Sequence, residues 1–288
     1  MNKLQSLALI VTVAALPALF ASCGATQWKE TGRTAKTAEK AYTGMFYDDT
    51  NGIAVGYSGL ARYTADGGKS WNTAGNSSMC LFACTMIDAA NFVVAGNGNN
   101  VRTSKNSGKS WDAATNIVGK GKSLSFIDPS RGWGSSKTWI GETGDGCATW
   151  TPIPLPAGTI AETVCMLAPG SGYMVSQKGE LFLTSDSGQH WASVSSPFPA
   201  DAKDFTPSYK KDNQAVCLRM SGSTGIIAAI GMAGKTPALR IKTTTDGGKT
   251  WTKAETHPLA VAGMTVSISP TEFISVFSND TAITKFSR

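Results

Sequence analysis

Five segments of the chain repeat one arrangement of hydroxyl, acid, glycine and tryptophan: TADGGKSW ending at Trp71, SKNSGKSW at Trp111, TGDGCATW at Trp150, TSDSGQHW at Trp191 and TTDGGKTW at Trp251. Carboxylates at a fixed spacing invite a reading as general acids or bases, since glycoside hydrolysis needs two placed carboxyl groups. The repeat itself argues for another use. Gly68, Gly108, Gly188 and Gly248 supply a positive φ at one place in a tight strand-to-strand loop. The acids two residues earlier, Asp66, Asp186 and Asp246, can accept N–H bonds from that loop. Hydroxyls two residues further back, and just before the tryptophan, can close it. Two copies depart. Asn106 keeps the acceptor without the charge, and Cys147 replaces the glycine after Asp145, which predicts a strained or differently shaped turn.

Outside the repeat, groups that do chemistry are sparse. Two histidines, His190 and His257, and no CxxC spacing leave no zinc site and imply no cofactor. Cys80, Cys84, Cys147, Cys165 and Cys217 follow the first 23 residues. Their odd number leaves at least one thiol free or paired in another molecule. Cys80 and Cys84, on one strand, stand ~13 Å apart, too far for a bond; most of the five read as small buried hydrophobes. The glycine-rich stretches 97–100 (NGNN) and 221–225 (SGSTG) lack the lysine of a phosphate loop and read as turns. Trp133 and Trp139, off the repeat, suit either a carbohydrate platform or packing inside their unit.

The elements that must carry these loops follow from the spacing. The intervals between the five tryptophans are 40, 39, 41 and 60 residues. Within each unit, runs of about five apolar residues alternate with turn signals such as Asp48–Gly52 and Asp128–Gly132, which describes four antiparallel strands. Four strands in about 40 residues make one propeller blade, unable to bury both faces alone. Hydrophobic residues at 41% are enough for such a core. The motifs quoted above resemble the Asp-box, or bacterial neuraminidase repeat, and their spacing is similar to that of the photosystem II stability/assembly factor family and its non-photosynthetic bacterial relatives. The resemblance covers residues 28 to 288 and implies an all-β propeller, with the boxes between third and fourth strands, acting as a protein-binding scaffold.

Five units end on a box. The stretch after them holds three strands, around Thr265–Ser269, Phe273–Phe277 and Thr281–Phe286, and lacks a fourth. Trp28, 43 residues before Trp71, opens a segment able to supply it. The expectation is therefore a six-bladed propeller of four-stranded antiparallel blades, its last blade completed by the N-terminal strand, with the long fifth interval housing a surface loop at 197–213. Residues 1–22 read as a signal peptide: Lys3, then the apolar run Leu7–Leu19, too short for a comfortable membrane span. Phe20-Ala21-Ser22-Cys23 resembles the lipobox of bacterial lipoproteins, which implies acylation of Cys23, a tether over 23–27 and an outer-membrane location facing the periplasm or the surface. Phe20 departs from the aliphatic residue usual there, and secretory cleavage after Ala25 is the alternative. From Cys23 to Trp28 the tether reaches at most ~17 Å.

The formal charge of +6 is spread without a run of like charges, which argues against nucleic acid. One basic pattern follows the repeat. Arg62, Arg102 and Lys242 stand four residues before a box acid, and Lys285 falls at that place in the last blade. These blades are contiguous, so the four could form an arc that grips an acidic protein partner; solvated charges on third strands are the alternative. The functional expectation is a monomeric, non-enzymatic, protein-binding propeller of the cell envelope. The competing one is a sialidase-like glycoside hydrolase or carbohydrate-binding propeller. Against it, sialidases resemble one another in three arginines gripping a carboxylate, and no Arg-Ile-Pro segment precedes the first box here.

Overall fold

The structure is a computed structural model. It describes residues 28–34, 41–74, 80–97, 100–112, 115–116, 121–136, 139–199, 202–208, 214–260, 262–271, 273–278 and 283–288. The expectations for the leader, the tether and Cys23 lie outside them.

The regular elements among the described residues are all strands, apart from one short 3-10 turn at Tyr57–Gly59. β1 (Lys29–Thr34) comes first and belongs to the last blade. Blade 1 is β2 (Ala41–Phe46), β3 (Gly52–Gly56), β4 (Ala61–Thr64) and β5 (Asn72–Thr73). Blade 2 is β6 (Leu81–Met86), β7 (Phe92–Gly96), β8 (Asn100–Ser104) and β9 (Thr115–Asn116). Blade 3 is β10 (Ser123–Phe126), β11 (Gly132–Ser135), β12 (Ile140–Thr143) and β13 (Thr151–Ile153); blade 4 is β14 (Ala161–Ala168), β15 (Ser171–Ser176), β16 (Leu181–Thr184) and β17 (Ala192–Ser195). Blade 5 holds β18 (Thr206–Pro207), β19 (Val216–Ser221), β20 (Thr224–Ala233), β21 (Thr236–Thr244) and β22 (Glu255–Pro258). Blade 6 is β23 (Gly263–Ile268), β24 (Ile274–Ser278) and β25 (Ile283–Ser287), and β1 completes it, pairing antiparallel with β25 from Lys29↔Ser287 to Thr34↔Ile283. The fold is thus the six-bladed propeller that the spacing predicts, closed by the N-terminal strand.

The first strands of adjacent blades neighbour one another around the axis. The second strands read as unbroken apolar runs because both of their faces are buried. On β20, Ile226, Ala228 and Ile230 enter the cluster shared with blade 6, while Ile227 and Ala229 enter the one shared with blade 4. Among the described residues, the buried apolar side chains form six clusters, one at each seam between blades. One repeat tryptophan packs at each seam: Trp71 between blades 6 and 1, Trp111 between 1 and 2, Trp150 between 2 and 3, Trp191 between 3 and 4, and Trp251 between 4 and 5. Trp28, only 2% exposed, fills the sixth place, between blades 5 and 6. The Trp111 indole N–H donates to the Ala74 carbonyl of the preceding blade at 2.7 Å, so the ring fixes distance as well as filling space.

The fifth interval departs from the expected surface loop. Its extra length is divided between the segment after β17 and a lengthened β20–β21 hairpin. Within that segment, β18 pairs with Gly231 and Met232 at the far end of β20. Phe198 and Phe205, 4% and 2% exposed, pack into the seam cluster, so this stretch is part of the core; positions 200–201 and 209–213 lie outside the described residues.

Candidate binding site

The five repeat turns share one bonding scheme. In blade 1 the buried Thr64 hydroxyl donates to Asp66 Oδ1 (2.8 Å) and accepts the N–H groups of Asp66 (3.3 Å) and Gly68 (2.8 Å). Asp66 then accepts Ser70 N–H at 2.9 Å and the Ser70 hydroxyl at 2.6 Å. The scheme recurs at Asp145 and Asp246; at Asn106 the amide donates to Ser110, and at Asp186 the outer contact is His190 Nδ1, 2.6 Å away. These bonds hold the carboxylates below the usual range: Asp246 falls to about 2 through the Thr250 hydroxyl first, Asp186 to about 2 through the His190 N–H first, and Asp66 is pulled down chiefly by Ser70. A carboxylate so occupied is a poor general acid or base at neutral pH.

The sequence pointed to one left-handed residue per turn; the structure has two. The pairs are Gly67/Gly68 (φ 77 and 88), Ser107/Gly108 (60 and 81), Gly146/Cys147 (70 and 76), Ser187/Gly188 (62 and 91) and Gly247/Gly248 (73 and 83). Cys147 keeps the shared shape, its N–H bonded to Thr143 Oγ1 at 3.0 Å, and bears a left-handed φ that costs about 1 kcal/mol or more for a non-glycine residue. The first residue of each pair donates its N–H to the turn between first and second strands of its own blade, as Gly67 does to the Thr50 carbonyl at 2.8 Å. Each repeat turn therefore braces the blade.

At the axis, the first strands enclose a cavity of about 300 Å³. Hydroxyls dominate its polar wall: Thr43, Thr85, Ser123, Ser125, Thr163 and Ser267. Several serve the ring itself. The inner edge of each first strand lacks a ladder partner, and neighbouring side chains cap it: Ser123 Oγ accepts Val164 N–H at 3.2 Å, Ser125 Oγ accepts Met166 N–H at 2.9 Å, and Met45 Sδ takes Met86 N–H at 3.1 Å. Thiols complete the wall. Burial pushes Cys84 and Cys217 up to about 12 and raises Cys165, which keeps them protonated and unreactive. Arg219 on β19 is the one charged residue among the described residues lining the cavity.

Beside this funnel, Lys122 and Glu162 form a buried ion pair across blades 3 and 4, Nζ to Oε2 at 2.5 Å, with side chains 2% and 0% exposed. Burial drives the Glu162 carboxyl upward, and the Lys122 ammonium opposes it. Glu162 Oε1 also takes the Ala215 N–H at 2.8 Å, so the pair ties three blades together. Sequence reading missed it and Arg219. A signal existed in both cases: Lys122 and Glu162 are one repeat apart just before or within first-strand runs, and Arg219 interrupts an apolar one.

Arg62, Arg102 and Lys242 occupy equivalent positions, opposite Ala54, Val94 and Ile227. Lys285 departs from the expected place: it lies opposite Ser275, where Tyr63 stands in blade 1, and so on the other face of its strand. All four are half-buried. Lys285 donates to the Gly67 carbonyl across the seam at 2.9 Å and lies 3.7 Å from the centre of the Phe46 ring. Lys242 donates to Pro197 O at 2.8 Å, and Arg62 to Ala61 O at 3.4 Å. Arg102 lines a small cavity together with Leu81, Val94 and Trp111. Lys285, Lys242 and Arg62 thus each give at least one donor to the fold, while Arg102 Nε is buried with no hydrogen-bond partner among the described residues. Trp133 and Trp139 are 0% and 7% exposed in two seam clusters, which leaves no platform there for a sugar. Arg131 grips Glu142 at 2.7 Å in blade 3, and Arg240, on the third strand of blade 5, grips Asp204 at 2.7 Å; neither guanidinium lines the axial cavity with Arg219. The five described cysteines are free, and no group of three His, Cys, Asp or Glu among the described residues could hold a metal ion.

No protein-family model and no curated protein matches the chain. Solved structures do. YCF48 bound to D1 peptide aligns at 13% identity over 91% of this chain and 95% of its own, with a TM-score of 0.50. YCF48 from Cyanidioschyzon merolae aligns at 14% identity over 90% and 98%, TM-score 0.53. The WD40 β-propeller domain of Doa1 aligns at 11% identity over 91% and 98%, TM-score 0.61. At these identities the likeness is one of fold: the chain is similar to propellers of both kinds across nearly its whole described length.

Proposed function

We propose that the chain is an exported, lipid-anchored propeller that binds another protein at its axial funnel and carries out no chemistry itself. The observation that carries this reading is the funnel wall: among the described residues that line it, one guanidinium, Arg219, stands with hydroxyls and protonated thiols and no carboxylate. Such a wall can hold a carboxylate or backbone carbonyl of an inserted segment by charge-assisted bonds; it offers no acid–base pair. The repeat turns read as Asp-boxes whose acids are consumed in bracing the blades. A YCF48 propeller with a bound D1 peptide supports a peptide as occupant. The partner enters the funnel, where Arg219 stands on the wall.

Acylation at Cys23 rests on the lipobox-like segment, and the short tether places Trp28 near the membrane. Two measurements test the reading. Crosslinking pull-down from native envelopes should recover a discrete protein with the wild-type chain and at least tenfold less with Arg219→Glu; equal recovery would remove the funnel from the account. Cys23→Ser should move the protein from the membrane to the soluble fraction and abolish palmitate labelling.

A further inference from the structure

Blade 5 carries a cavity beneath the extra segment that follows β17. After β17 the chain folds back over the outer strands, placing Phe198 and Phe205 with ring centroids 6.0 Å apart. Beneath them, Arg240 and Lys242 alternate along β21 and so share one face. The Arg240 guanidinium lies 4.7 Å from the Phe205 centroid and Lys242 Nζ lies 5.2 Å from that of Phe198. Together with Lys253 and Thr256 these residues enclose about 440 Å³, within the range of small-ligand sites.

Among the described residues that line this cavity, three are cations, Arg240, Lys242 and Lys253, and one is a carboxylate, Asp204. Asp204 is already spent: its Oδ2 and carbonyl take Arg240 Nη1 at 2.7 Å and Nη2 at 3.2 Å, while Arg240 Nε donates to Thr256 Oγ1 at 3.1 Å. Arg240 thereby commits three of its five N–H donors. Lys242 donates to Pro197 O at 2.8 Å, and an ammonium has three donors. Burial, then the nearby Arg240, lowers the Lys242 pKa, and Asp204 opposes them.

We propose that this pocket binds an organic carboxylate with an apolar body, its head on Lys242 and Lys253 and its body on Phe198 and Phe205. A free small acid and an Asp or Glu side chain flanked by apolar residues present the same chemistry. Calorimetric titration of the mature chain with four probes separates the contributions: 4-phenylbutyrate, acetyl-Leu-Glu-Leu-amide, 4-phenylbutanol and inorganic phosphate. At least one carboxylate probe is expected to bind tenfold or more tightly than the neutral alcohol and the bare anion, and whichever carboxylate binds better names the source. Lys253→Glu, at an exposed position that cannot disturb the core, should weaken that binding at least tenfold, and Phe198→Ala should do the same. Absence of binding by both carboxylates, equal binding of the alcohol or of phosphate, or indifference to Lys253→Glu overturns the proposal.

Discussion

Thr64, Ser104, Thr143, Thr184 and Thr244 each serve three partners with one buried hydroxyl, and the turns hang on them. Replacing Thr244 by the isosteric Val leaves the buried Gly248 N–H without an acceptor, so urea denaturation should show a loss of about 1–3 kcal/mol. The acids add a pH dependence whose sign follows from their lowered pKa values. A carboxylate whose folded pKa lies below its unfolded value near 4 stabilises the fold above that pH and loses the contribution as pH falls toward about 2. The variant with Asp66, Asp186 and Asp246 all changed to Asn should therefore lose less stability between pH 4 and pH 2 than the wild type, measured by denaturation midpoints. Asn106 shows that the turn closes without the charge. This scale was readable because glycine, acid and hydroxyl recur at fixed offsets. The second left-handed residue was hidden, since Ser107 and Ser187 carry a conformation their type does not announce.

The repeat tryptophans give the strands their positions in the ring. Their recurrence was plain in the sequence, yet the text of one unit shows only that a large ring follows the turn. That it seals the seam to the preceding blade depends on stacking, a relation between residues about 40 apart. Trp28 is the strictest case, because no repeat turn precedes it and it is nonetheless 2% exposed. Trp28→Ala should cost about 3–5 kcal/mol in chemical denaturation, as for a buried aromatic in a packed core. The fifth interval was legible only as extra length. A run with Pro197, Pro199 and several charges reads as loop, but Phe198 and Phe205 anchor it, and β20 and β21 grow long enough to receive β18.

At the scale of the whole molecule, the counts of tryptophans and leftover strands were enough for six blades and their closure. The ring is also what makes N- and C-terminal strands interdependent. Removing residues 28–34 exposes the β25 edge and the blade 5–6 cluster, so calorimetry should show a lowered and broadened transition in place of one cooperative unfolding. Function was less legible. The residues that distinguish the funnel, Arg219 and the Lys122–Glu162 pair, acquire meaning only when six first strands are brought to one axis. The central claim is that a protein partner occupies this funnel, and site-specific photo-crosslinking in intact cells tests it most directly. A crosslinker at Ser267, on the funnel wall, should give one discrete protein adduct that disappears with Arg219→Glu, while one at the exposed Thr252 on the outer rim gives none. Equal adducts at both positions, or none at Ser267, would contradict it.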